Sequence, residues 1–257
     1  IATLATILHE VSTENLPCEI EQIFDVSAFL KLAALEILVG HWDNYFGNMN
    51  NYYLYERPED GKLMMFSYDV DNTLGVQWWG DYSNQNPYDY SPSDFRPLYD
   101  RLMEVEGYRD LLGAFIEAAL EDGFNSLSWE VRGNELLSLC TSAALNDTYR
   151  TLDYGFDNND FLLSISTAWG EHISHGIAPY VLERVNSITS QINPTSPLRS
   201  IQAYAKTPVH NDTLTIYTET YGFPSYLIAT ISPDNAPSFN ATLNEIDPGL
   251  WSVDIPL

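Results

Sequence analysis

Between Asp25 and Gly75 the chain changes character three times, and the order of those changes restricts the folds open to it. Asp25 is a helix-capping residue, and the run VSAFLKLAALEILV that follows is apolar around most of a helical circumference until Gly40 stops it. A helix of that kind is stable only when other elements cover it on nearly every side, so it belongs at the centre of a domain. It delivers the chain to HWDNYFGNMN, a loop dense in Asp and Asn. Residues 51–55 and 63–68 then read as two short strands joined by the PEDG turn, a hairpin that holds two acidic clusters close together. Alternation carried through the second strand puts Asp69 and Asp71 on one face. With Asp43 and Asn48 on the loop, these side chains supply hard oxygen ligands for a magnesium ion that holds nucleotide phosphates.

The remaining chain divides into a helical stretch and a β-rich tail. Residues 1–24 read as one helix and a connector. Residues 76–95, rich in Trp, Tyr, Asn, Asp and Pro without periodicity, read as a long ordered loop whose aromatics pack. Residues 97–122, 126–140 and 176–192 show helical spacing of apolar residues and are expected to supply most of the remaining core. After Asn193-Pro-Thr-Ser-Pro, the runs IQAYAK, TLTIYTET, SYLIATIS and WSVDIP predict a small β module of about four strands, few for an independent sandwich. The expected division is 1–194 and 197–257.

At 257 residues and 45% hydrophobic content the chain has ample material for a packed core. Its 36 acidic residues against 11 basic ones give a net charge of −25, which argues against a nucleic-acid surface and against attraction to anionic lipid. The same charge suits a cation-dependent site or a basic protein substrate. No apolar run has the roughly 18 to 20 residues needed to span a bilayer. Cys18 and Cys140 lack metal-ligand spacing; a single disulfide is open to them, but both are expected to be buried and inert. Three Asn-X-Thr triplets, at Asn146, Asn211 and Asn240, favour a secreted protein. The start at Ile1, without an initiator Met or a signal-peptide pattern, suggests a mature product or an excised fragment.

Any one Asp or Asn here is more often a turn former than a catalyst; it is their convergence through helix, loop and hairpin that points to a site. His41 is either a base or ligand or, the preferred reading, a packed side chain bracing the loop. His172 and His175 lack an HExxH frame and read as surface or core filler. Trp78, Trp79, Tyr82, Tyr88 and Tyr90 fit a binding platform and a packed loop equally well.

HWDNYFGNMNNYYLY followed by FSYDVDNTLG resembles the core signature of the CotH family of spore-coat-type atypical protein kinases, and the likeness extends through RPLYDRLMEVEGYRDLL and HGIAPYVLERVNSI, over roughly residues 15–192. The resemblance implies a mostly helical, protein-kinase-like C-lobe with a short active-site hairpin; with the small all-β, Ig-like and incomplete module read from the strand runs after it, the expected fold class is α+β. The resemblance also implies a secreted, cell-surface or spore-associated enzyme that moves the γ-phosphoryl group of ATP to Ser residues of proteins with Mg2+ or Mn2+. On this resemblance Asp43 matches the catalytic-loop aspartate, and Asn48, five residues later, the metal-holding asparagine. Asn51 is a substitute for that role, Asp69 the metal-binding aspartate after the hairpin, and Asp71 a second ligand.

The chain departs from a kinase upstream. Few residues precede His41, and the sole Lys among them, Lys31, lies in the expected central helix, so the nucleotide-covering lobe is expected to be missing. A surface scaffold that keeps the shape without catalysis is therefore the alternative from another class. A second enzyme reading takes DVDNT as the D-x-D-x-T motif of haloacid-dehalogenase-type phosphatases, with Asp69 as nucleophile and Asp71 as acid/base. That fold needs parallel strands following the motif, and the sequence offers helices there.

Overall fold

The computed structural model describes residues 1–78, 80–91, 94–152, 154–192, 199–205, 213–221, 227–231, 237–247 and 250–256. It is an α+β protein that divides into two compact units, Ile1–Asn193 and Pro194–Leu257. None of the described helices is long and apolar enough to cross a membrane.

The first unit is built on the central helix. After α1 (Ala2–Glu10) and the short α2 (Leu16–Ile20), α3 runs Val26–Val39, capped by the Asp25 carboxylate, which accepts from the Ala28 amide, and stopped by Gly40 in the left-handed region. Phe29, Leu30, Ala33, Ala34, Ile37 and Leu38 of α3 are all but fully buried. Gly40 is required twice over: its φ is +67°, and a Cβ there would stand 2.1 Å from the Tyr180 hydroxyl. The hairpin β1 (Tyr52–Glu56) and β2 (Leu63–Ser67) is antiparallel, with Tyr52 opposite Ser67 and Glu56 opposite Leu63. Arg57 at its turn pairs with Asp60 and reaches back to the Asp25 cap at 2.9 Å, tying hairpin to helix.

Residues 97–122 form two helices rather than one continuous periodic run, α4 (Pro97–Met103) and α5 (Glu106–Glu121), because Val105 between them is extended. α5 packs on α3. Downstream lie α6 (Ser126–Leu145), α7 (Asn158–Leu163) and α8 (Ile177–Thr189). The expectation that 126–140 supplies core is overturned: no residue of α6 is buried, and Leu127, Val131, Leu136 and Leu139 are exposed. Its apolar residues follow no single stripe, so packing on α8 covers only part of them. Cys140 on this helix and Cys18 on α2 are exposed free thiols, not the buried pair expected. Arg184 of α8 is fully buried; its guanidinium donates to the carbonyls of Ile37, Ser83 and Gln85, pinning the 81–85 segment to α3, and burial lowers its pKa.

The second unit is a five-stranded antiparallel sheet of β3 (Arg199–Ala205), β4 (Thr213–Tyr221), β5 (Leu227–Ile231), β6 (Phe239–Asp247) and β7 (Leu250–Pro256), ordered β3-β4-β7-β6-β5. The strand additional to those expected is β6, whose Asn, Glu and Asp residues give it little strand propensity of its own. It is held by its neighbours: residues 239–243 pair with β5 and residues 244–247 with β7, with a register shift between Glu245 and Asp247.

Candidate active site

The loop between α3 and β1 is shaped from beneath by Asn44, which is fully buried. Its Oδ1 accepts the amides of Phe46 and Gly47, both at 3.0 Å, and its Nδ2 donates at 2.8 Å to Oε2 of Glu36, a carboxylate buried in α3. The other Glu36 oxygen accepts from Ser67 Oγ at 2.5 Å, so one carboxylate joins the helix, the loop and the end of β2. Arg96, itself buried, donates to the carbonyls of Phe46 and Gly47. Gly47 has no room for a side chain: a Cβ would fall 1.6 Å from the Trp42 carbonyl oxygen. His41 is fully buried beside this brace, with Nδ1 3.5 Å from Glu36 Oε1 and neither ring nitrogen hydrogen-bonded. It packs as expected, but its backbone amide, bonded to the Glu36 carbonyl, does the bracing.

Above this brace, Asp43 gathers carboxamides. Asn48 Nδ2 donates to its Oδ1 at 2.8 Å, and Asn51 Nδ2 donates to its Oδ2 at 3.1 Å and its backbone carbonyl at 2.8 Å. Asn72 Nδ2 lies 3.5 Å from the same Oδ2 and donates at 3.1 Å to Asp71 Oδ1, which brings Asp71 to the edge of the cluster. Met49, Asn51, Asp69 and Leu74 all have φ between +51° and +56°, so the backbone turns sharply on both sides of the site.

Asp69 departs from the expected geometry. The strand ends at Ser67, one further ladder bond runs from the Tyr68 amide to the Asn51 carbonyl, and Asp69 is left-handed. Strand alternation therefore does not extend to 69 and 71. Asp69 is exposed and, among the described residues, makes no hydrogen bond to Asp43, Asn48 or Asn51. Bonds that fix the segment beyond include Leu74 N to Val39 O, Ser174 N to Gly75 O, Trp42 Nε1 to Val76 O, and Gln77 N to His172 O. The side chains that the sequence reading missed are Asn44, Glu36, Ser67, Asn72 and Arg96. Asn44, Ser67 and Asn72 lie inside the HWDNYFGN and FSYDVDN runs, whereas Glu36 and Arg96 carried no such signal.

The histidines and aromatics of the neighbouring loop do other work. His172 is buried and stacked on Trp78 at 4.0 Å, with Tyr154 and Trp169 at its edges. His175 Nε2 bonds Glu183 at 2.9 Å, and together with Asp81 these form, among the described residues, the one group of three such side chains whose ligand atoms lie within 4.8 Å of one another. Tyr90 is buried, so it pins its loop instead of offering a platform; Trp79 lies outside the described residues.

The D-x-D-x-T run follows an antiparallel hairpin, and every described sheet is antiparallel, which gives the phosphatase reading no parallel strand to stand on. No curated protein sequence matches this chain. Residues 1–196 match the family described as CotH kinase protein, a span that takes in the whole helical unit and the loop, hairpin and DVDN segment just described, and the chain belongs to that family.

Proposed function

We propose that this chain carries the acceptor-side catalytic residues of an ATP-dependent protein serine kinase of the CotH type, acting on secreted, cell-surface or spore-surface proteins. The observation that supports it is the single carboxylate, Asp43, held by three carboxamides at the mouth of a buried hydrogen-bonded brace. In this reading Asp43 orients the acceptor hydroxyl and receives its proton. Buried bonds to Asn44 and Arg96 hold the loop that carries it, so positioning is set before substrate arrives.

The donor set fits the divalent metal that the family implies. With their amide nitrogens committed to Asp43, Asn48, Asn51 and Asn72 keep their Oδ1 atoms for a cation, and Asp71, bonded to Asn72, adds a carboxylate at the edge of the cluster, while Asp69 stands exposed outside the hydrogen-bonded group. All are hard oxygen ligands of the kind Mg2+ and Mn2+ take. Among the described residues no Lys or Arg is hydrogen-bonded into this cluster, so phosphate charge would be met through the metal. ATP bound with that metal would supply the phosphoryl group. The net charge of −25 favours acceptor proteins rich in Lys or Arg, and the exposed Asn146 sequon favours an extracellular setting.

The test is transfer of label from γ-labelled ATP to a basic Ser-containing protein, with Mg2+ or Mn2+. Asp43→Ala is expected to lower transfer by about a hundredfold or more, and Asp71→Ala by more than Asp69→Ala. Transfer by wild type no greater than by Asp43→Ala would refute the proposal.

A further inference from the structure

Beside the Asp43 cluster lies a cavity of about 670 Å³. Asp71 and Thr73 form one edge, and Phe156, Phe161, Trp169 and Ile173 contribute apolar walls. Tyr149 and Leu163, which also line it, are 74% and 41% exposed, so packing among the described residues of the first unit leaves this apolar surface uncovered. Three carboxylates, Asp71, Asp147 and Asp160, line it against one guanidinium, Arg150. That guanidinium lies over Phe161 at 4.9 Å, and its buried Nε has no hydrogen-bond partner.

These features select among occupants. The surplus of carboxylates disfavours a phosphate-bearing ligand and suits one that is apolar with positive charge near it. Asp71 is the residue the cavity shares with the site: it lines the cavity, and its carboxylate accepts from Asn72, whose Nδ2 also lies 3.5 Å from Asp43. A polypeptide presenting a hydroxyl at Asp43 would thus bring its neighbouring side chains to this opening. We propose that the cavity receives a large aliphatic or aromatic side chain of the acceptor polypeptide, within about two residues of the phosphorylated Ser, in a segment bearing Lys or Arg. The inference rests on the phosphotransfer reading for which hydroxyl is used, but the binding itself does not need ATP.

The probes are peptides Lys-Lys-Gly-Gly-Ser-Gly-Gly-Lys-Lys in which each Gly in turn is replaced by Leu, Phe or Asp, with fluorescein-labelled forms carrying Ala in place of Ser. Anisotropy of the labelled forms measures binding without nucleotide, and transfer from ATP gives KM. At one position Leu or Phe is expected to tighten binding and lower KM by about tenfold or more, the size expected for burying such a side chain, while Asp weakens both. Ala168→Trp, at an exposed position on the cavity wall, is expected to abolish that preference at an unchanged melting temperature. Binding with the apolar preference but no transfer would uphold the subsite and refute the kinase reading. Transfer without any apolar preference, or a preference that survives Ala168→Trp, would overturn the subsite and leave the kinase reading in place.

Discussion

Replacing Asn44 by Ala removes the inner prop of the loop that carries Asp43. The side chain makes three hydrogen bonds in a fully buried position, two from the Phe46 and Gly47 amides and one to the Glu36 carboxylate. A neutral bond contributes about 1 kcal/mol net and one to a charged group about 2 kcal/mol, so the loss is about 4 kcal/mol. The figure sits toward the high side because two amides and one carboxylate oxygen are left buried without partners. In a unit of this size 1 kcal/mol moves the melting temperature by about 2 to 4 °C, so a fall of roughly 10 °C is expected by calorimetry. Hydrogen exchange supplies the local readout: the Phe46 and Gly47 amides should lose protection before the α3 core does. Asn48→Ala is the control, since Asn48 is exposed and its bond to Asp43 lies at the surface; it should cost under about 1 kcal/mol while still impairing metal-dependent transfer. An Asn44→Ala protein that melts within about 2 °C of wild type, with residues 46 and 47 still protected, would refute the account of how the loop is held.

Three further outcomes follow from the geometry. Gly47→Ala should abolish transfer and lower the melting temperature, because the new Cβ meets the Trp42 carbonyl 1.6 Å away; a variant with wild-type melting and activity would show that the loop adapts freely. Asp25→Ala removes both the α3 cap and the Arg57 partner and should cost about 1 to 2 kcal/mol in urea unfolding; no change would contradict the link between hairpin and helix. Hydrogen bonds from Asn84 first, then from His175 and Ser83, hold Glu183 below the usual carboxylate range. Its contribution to stability is therefore present at neutral pH and is lost as pH falls through its depressed value. Melting temperature measured from pH 7 downward should drop more steeply for wild type than for Glu183→Gln, and parallel curves would contradict the assignment.

What could be read from the sequence was local. Asp25, the apolar run and Gly40 define α3 because cap, interior and stop lie within one helix, and the PEDG turn defines the hairpin for the same reason. The nearness of Asn48 to Asp43 was legible because both lie on one short loop, whereas Asn51, expected only as a substitute for Asn48, bonds Asp43 beside it. The placement of Asp69 was not, since strand alternation assumes an extended backbone and Asp is one of the residues that tolerates the left-handed turn found there. Arg96 reaches the loop from 50 residues downstream, and no local spacing announces a partner so far away in the chain; Glu36 lies only eight residues before Asn44, but it is a single acid inside an apolar helix and nothing in that run marks it as a brace. Exposure of α6 and the existence of β6 likewise depend on neighbours, which override the propensity of the segment itself.

Where a cation sits decides between a phosphotransfer centre and an ordinary polar turn. Crystals grown with Mn2+ and a non-hydrolysable ATP analogue, measured at the manganese edge, should show an anomalous peak bonded to Asp71 or Asp69 and to a carboxamide oxygen of the Asp43 cluster. A fully occupied manganese peak elsewhere, with Asp43, Asn48 and Asp71 bonded only to one another and to water, would contradict the account.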